Sequence, residues 1–152
     1  MLQAVYRGDS EEADRLAAGR ELDVFEAAAL GRTDRLRQLL DEDSILANAW
    51  AEDGFQPLGL ASFFGHTEAA RLLIAHGAEV NSASRNEMRV MPLHSAVATN
   101  DPQARYEIAQ LLLEAGADPN AVQQDEFTPL MAADHHGDEP LRALLVEHGA
   151  TR

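Results

Sequence analysis

The chain has no cysteine, no lysine, few aromatic residues and no long apolar run. Each absence excludes something. Without cysteine there is no disulfide, no thiolate metal site and no cysteine nucleophile, while the redox compartment stays open. No apolar run approaches the roughly 20 residues that a membrane-spanning helix needs. The first residues, MLQAVYRGDSEEADRL, turn acidic by Asp9 and lack the apolar stretch of a secretory leader, so a cytoplasmic location is expected. All 12 basic residues are arginine. With the compactness of the chain, that leans toward a bacterial source and indicates no function.

What is present is acidic. A net charge of -14 repels phosphate backbones and anionic lipid, which argues against a nucleic-acid or membrane-surface role. It mildly favours a basic partner, although solubility alone also accounts for it. A length of 152 residues suits one domain with a continuous core.

One pattern recurs along the chain. QPLGLASFFGHTEAARLLIAHGAEVN begins at Gln56, MPLHSAVATNDPQARYEIAQLLLEAGADPN at Met91 and TPLMAADHHGDEPLRALLVEHGA at Thr128. Fainter copies keep the same spacing from Ala4 to Gly8 and from Ala27 to Gly31, so anchor alanines fall at Ala4, Ala27, Ala61, Ala96 and Ala133. Each copy reads as two short antiparallel helices. Pro57, Pro92 and Pro129 open the first helix, where a missing N–H costs nothing. A glycine closes it in the left-handed conformation. Asp9, Thr33, Thr67, Asp101 and Asp138 are expected to cap the second helix, and leucine pairs such as Leu72-Leu73 and Leu111-Leu112 bury it. A helix pair this small cannot cover its own apolar face, so the copies must stack.

MPLHSA at 91–96, TPLMAA at 128–133, HGAEVN and AGADPN resemble the signature of ankyrin repeats. The resemblance implies an all-α ankyrin-repeat solenoid of stacked antiparallel helix pairs with β-hairpin or loop fingers. Residues 1–152 then form a single domain of about five units: 1–20 as an N-terminal cap, 21–49, 50–82, 83–121 and 122–152. Three departures stand out. Four extra residues lie between Asn100 and Leu111, giving a lengthened inter-helix turn or an added helical turn. Asn100 replaces the helix-closing glycine, which asparagine tolerates better than most residues. The step from Ala4 to Ala27 leaves no room for a finger.

The stretch DHHGDE, 134–139, is the one cluster that reads like a metal site. Gly137 and Asp138 already have structural places in the repeat. Adjacent helical residues diverge by about 100°, so His135 and His136 are poorly placed to share an ion. His94 belongs to the signature, where the resemblance implies a backbone hydrogen bond to the neighbouring turn, and His76 and His148 suit helix C-termini. No nucleophile elbow or phosphate loop is present. No catalytic, cofactor-binding or metal residues are therefore assigned, no cofactor is expected, and the chain is read as a non-enzyme.

Aromatic residues outside core positions point instead to a partner. By the resemblance, Trp50, Phe55, Phe63, Phe64, Met88, Val90, Phe127, His135 and His136 could line a concave groove, with Glu52, Asp53, Glu87, Asp125 and Glu126 at its rim. Phe55 and Phe127 fit the groove and the spaces between fingers equally well, and one of Phe63 and Phe64 must turn inward. The resulting expectation is a monomeric module that binds a protein or peptide, a basic one being favoured. The alternatives are a metal-dependent hydrolase built on Asp134, His135 and His136, and a self-associating scaffold.

Overall fold

The computed structural model describes residues 1–151. Ten helices fall into five hairpin pairs: α1 (Leu2–Tyr6) with α2 (Ser10–Ala17), α3 (Val24–Leu30) with α4 (Thr33–Glu42), α5 (Pro57–Phe63) with α6 (Thr67–Ala75), α7 (Pro92–Ala98) with α8 (Pro102–Glu114), and α9 (Pro129–His136) with α10 (Glu139–Glu147). The first helices pack in one row, α1 on α3 on α5 on α7 on α9, and α4, α6, α8 and α10 pack in a second. The anchor alanines explain the close first row. Ala27, Ala61, Ala96 and Ala133 are all buried, where neighbouring helices leave room for little more than a methyl group. Leu58, Leu73, Leu93, Ile108, Leu112, Leu141 and Leu145 fill the space between the rows. Each contributes roughly 1.5–3 kcal/mol by leaving water.

Pro57, Pro92 and Pro129 stand at the first turns as expected, and Gly8, Gly31, Gly65 and Gly137 are left-handed where first helices close. Capping of the second helices differs from expectation. Asp9, Asp101 and Asp138 accept hydrogen bonds from Glu12 N–H, Gln103 N–H and Leu141 N–H. Thr33 and Thr67 do not cap, because the capping place is the residue directly after the glycine, and Arg32 and His66 hold it.

Asn100 is a second correction, since its backbone is not left-handed. Helix α7 instead leaves through Thr99 in an extended conformation. The inserted residues lengthen α8 to 13 residues, against nine in α6 and nine in α10, so the insertion is an added helical turn. That extra turn carries Arg105, only 5% exposed, whose Nε donates to Thr99 O at 3.0 Å and whose Nη1 pairs with Asp138 at 2.7 Å. A buried guanidinium thus satisfies carbonyls that a left-handed glycine would otherwise accommodate.

The fingers are tight loops, with no strand among the described residues. One bond closes each: Ala51 N–H to Phe55 O at 2.9 Å, Ser84 N–H to Val90 O at 2.8 Å and Gln123 N–H to Phe127 O at 3.1 Å. Neighbouring fingers are stitched by Arg85 N–H to Gly54 O at 2.8 Å and Gln124 N–H to Met88 O at 3.2 Å. On the opposite edge, Asn48, Asn81 and Asn120 donate to Gly77 O, Gly116 O and Gly149 O, each at 3.0 Å, and form a ladder from unit to unit.

The outward face of the last pair is polar. Asp134 stands in the register of Ser62 and Val97, and Arg142 in that of Ala70 and Ala109, all four of which are buried. Asp134 and Arg142 are exposed and paired at 3.0 Å. An exposed charge pair thus stands where the preceding units bury small or apolar side chains.

Candidate functional site

Three fingers repeat one backbone device. The residue before each inward-turned side chain has positive φ: Gly54 before Phe55, Arg89 before Val90 and Glu126 before Phe127. Only Gly54 is free of the Cβ cost. It is also crowded, because a Cβ there would meet Arg85 O at 2.6 Å, the backbone of the next finger. The left-handed kink turns the following residue toward the first-helix row. There the ends of α5 and α9 present Phe63 and His135, each two places after its anchor alanine.

Between fingers and helices lies a groove of about 610 Å³, lined by Phe55, Phe63, Met88, Val90, Phe127, Leu60 and Val97. Asp53, Tyr6, Gln123, His135 and His136 supply much of its polar lining. Phe63 is 45% exposed and Met88 47%, so the chain leaves large apolar side chains in water along this face. A second, open depression of about 770 Å³ lies beside α2 and α4. Its arginines are already engaged: Arg20 with Glu26, Arg32 with Asp14 at 2.7 Å and Arg35 with Leu22 O at 2.9 Å.

Eight of the residues singled out from sequence meet in the groove: Asp53, Phe55, Phe63, Met88, Val90, Phe127, His135 and His136. Six do not line it. Glu52, Glu87, Asp125 and Glu126 are exposed in the fingers. Trp50 is half-buried beneath Arg85, whose guanidinium carbon lies 4.0 Å from the ring centre. Phe64 is the inward member of its pair: it packs on the core, with ring centres 5.0 Å from Phe63 and 5.5 Å from Tyr6.

Tyr6 was missed in the sequence. Its hydroxyl donates to Asp53 Oδ2 at 2.6 Å, joining α1 to the first finger. Burial, the hydrogen bond to Asp53 and that carboxylate's charge together push its pKa upward. The signal was available, because Tyr6 lies two places after Ala4, as Phe63 lies two places after Ala61.

Every histidine but His135 hydrogen-bonds a backbone carbonyl. His94, 3% exposed, donates from Nε2 to Ala121 O at 3.0 Å and accepts from Met91 N–H at Nδ1. Burial lowers its pKa against the raising effect of the Ala121 and Phe127 carbonyls. His66 donates to Ala29 O at 2.9 Å, and burial lowers its pKa too. His76 is raised, chiefly by its hydrogen bond to Leu72 O and then by Asp41. In DHHGDE the two rings are 5.9 Å apart and inclined at 69°. His136 donates to Val97 O at 3.1 Å, its Nδ1 faces Arg105 Nη2 at 3.5 Å, and Asp134 holds Arg142. Among the described residues no three His, Asp or Glu side chains are grouped to hold a metal ion.

Stacked helix pairs, left-handed glycines and inward-kinked fingers define a repeat architecture, and comparison with known proteins places it. The family model for ankyrin repeats (three copies) matches residues 1–123, and the chain belongs to the ankyrin-repeat family. The same stack continues through α9 and α10 beyond the matched range. The chain is 37% identical over 87 residues to the ankyrin repeat protein YahD of Escherichia coli, covering 57% of this chain and 43% of that protein. It is 36% identical over 105 residues to ankyrin repeat and SOCS box protein 3 of Bos taurus (68% and 19%), and 30% identical over 122 residues to BCL-6 corepressor-like protein 1 of Homo sapiens (80% and 6%). The chain spans less than half the length of these curated relatives, which come from bacteria and animals alike. Ankyrin repeats are in general protein–protein interaction modules and typically not enzymes. No helix among the described residues is long and apolar enough to cross a membrane.

Proposed function

We propose that this chain is a monomeric, cytoplasmic binding module that recognises a protein or peptide through the groove between its fingers and first helices. One observation carries the reading: Phe63 and Met88 are each nearly half exposed in an apolar groove that no other described residue covers. Apolar anchors within a polar rim are how interfaces concentrate their energy. His136, Asp134 and Asp138 of DHHGDE are committed to backbone and arginine partners, which favours the binding role over a metal-dependent hydrolase. The paired charges on the last unit's outward face work against end-to-end self-association, since covering them would desolvate both.

The test separates Phe63 from Phe64. Phe63→Ala keeps the wild-type melting temperature within a few degrees and abolishes retention of proteins that bind the immobilised wild-type chain. Phe64→Ala instead destabilises by about 1–3 kcal/mol, less than a fully buried phenylalanine. Unchanged retention by the Phe63→Ala variant defeats the groove reading. Stoichiometric zinc or iron in purified protein, with loss of fold on chelation, revives the hydrolase.

A further inference from the structure

We infer that the groove takes a cationic amphipathic peptide segment, with an Arg or Lys side chain on Asp53 and an adjacent apolar side chain against Phe55 and Phe63. The inference rests on the protein-binding reading and gives that partner its chemistry.

Asp53 is a prepared carboxylate. Tyr6 donates to its Oδ2 at 2.6 Å and Phe55 N–H to its Oδ1 at 3.2 Å. Each bond fixes one oxygen and leaves a further lone pair on each, which is what a guanidinium or ammonium group requires. The Tyr6 bond reaches across 47 positions, from the first unit to the finger of the third, over the place where the second unit has no finger. Asp53 lines the groove beside Phe55 and Phe63, so a fixed negative charge closes an apolar trough at its N-terminal end.

The rim has the same sign. Glu52, Glu87, Asp125 and Glu126 are exposed, and none belongs to an ion pair among the described residues. Arg85 and Arg89 offset only part of that charge, and Arg85 is folded onto Trp50. An acidic segment would meet this rim with like charge. A second copy of the chain brings a net charge of -14 of its own. A small apolar molecule would fill the trough and leave Asp53 unused.

An array of random twelve-residue synthetic peptides probed with the intact chain tests this. The strongest binders are remeasured by fluorescence anisotropy with the wild type, Asp53→Asn, Tyr6→Phe and Phe63→Ala. The expected motif is Arg or Lys within three positions of Leu, Met, Phe or Trp. Replacing that basic residue by norleucine weakens wild-type binding about tenfold and Asp53→Asn binding less than twofold, so the two changes are coupled. Tyr6→Phe keeps the ring on Phe64 and removes only the hydroxyl. It lowers the penalty for the norleucine swap to about threefold without changing the apolar preference, a shift that a general loss of stability would not produce. Raising salt from about 50 to about 300 mM weakens the basic peptide and spares its norleucine form. Neutral or acidic binders that still depend on Phe63 overturn the cationic partner and leave the groove reading standing. No enriched peptide, or indifference to Phe63→Ala, removes both. Reversible dimers that these peptides disperse assign the groove to a second copy and overturn the inference.

Discussion

Helices α7 and α9 are successive copies of one element that end in different ways. Helix α9 closes on Gly137, left-handed at φ 64° with open space where a Cβ would stand. Helix α7 has no such glycine. It runs out through Thr99, and Arg105 from the added turn of α8 reaches its carbonyls. The contrast separates two solutions to one requirement. A glycine solves it locally, within the backbone. A guanidinium solves it through tertiary structure, and must then be buried with Asp138, the cap of the next unit's second helix. The glycine ending depends on one residue, whereas the arginine ending ties two units together.

The largest way to break the comparison is Arg105→Met. It strands the nearly buried Asp138 and the Thr99 carbonyl, and urea unfolding is expected to show a loss of about 3–5 kcal/mol. Adding Asp138→Ser keeps an N-cap and removes the stranded charge, so it recovers a good part of that loss. A loss below 1 kcal/mol for Arg105→Met would mean that α7 closes without its help. Next comes Gly137→Val. No atom obstructs the new side chain, so its expected cost of about 1–3 kcal/mol is backbone conformation alone. Asn100→Gly sharpens the contrast from the other side. Because Asn100 is not left-handed, glycine there is expected to destabilise by about 0.5–1 kcal/mol through the unfolded chain; stabilisation would show a left-handed ending after all.

The smallest effect is in pH. His66 donates to a carbonyl at the end of α3, a helix that also closes on left-handed Gly31, and His94 bridges to the next finger. Both have pKa values lowered by burial. Their contribution to stability is therefore full above the unfolded value near 6.5 and is lost as pH falls through their folded values. The partly buried His76 has the opposite sign: its contribution is present at low pH and fades as pH rises through its raised pKa. Proton NMR titration of the imidazole rings is expected to place His66 and His94 below 6.5 and His76 above it.

Much of the fold was legible because it repeats. The Pro-Leu openings, the closing glycines and the anchor alanines each have a local physical cause, and that cause recurs at every copy. Where the local cause is replaced by a distant one, the sequence misleads. Asn100 sits in a glycine's place yet behaves otherwise, because the compensating Arg105 lies one helix away. Thr33 and Thr67 look like caps, and one residue of slip makes them first-turn residues instead. Most of the groove's side chains could be named from their register. Tyr6 could not be paired with Asp53, because that contact depends on a missing finger, and no local pattern records which absent loop a tyrosine will span. Phe63 and Phe64 were separable only as one inward and one outward, since helix geometry fixes their divergence and not which of them faces Tyr6.

The asparagine ladder has a practical consequence. The rung from Asn81 to Gly116 spans 35 residues, six more than the 29 between Asn48 and Gly77 or between Asn120 and Gly149, yet all three rungs measure 3.0 Å. Extra sequence bulges sideways, into a longer finger and a longer helix, and the pitch of the stack does not register it. A designer who wants to graft a loop or lengthen a helix has a place to do so: anywhere between two rungs, provided the asparagine and the glycine at either end are left alone.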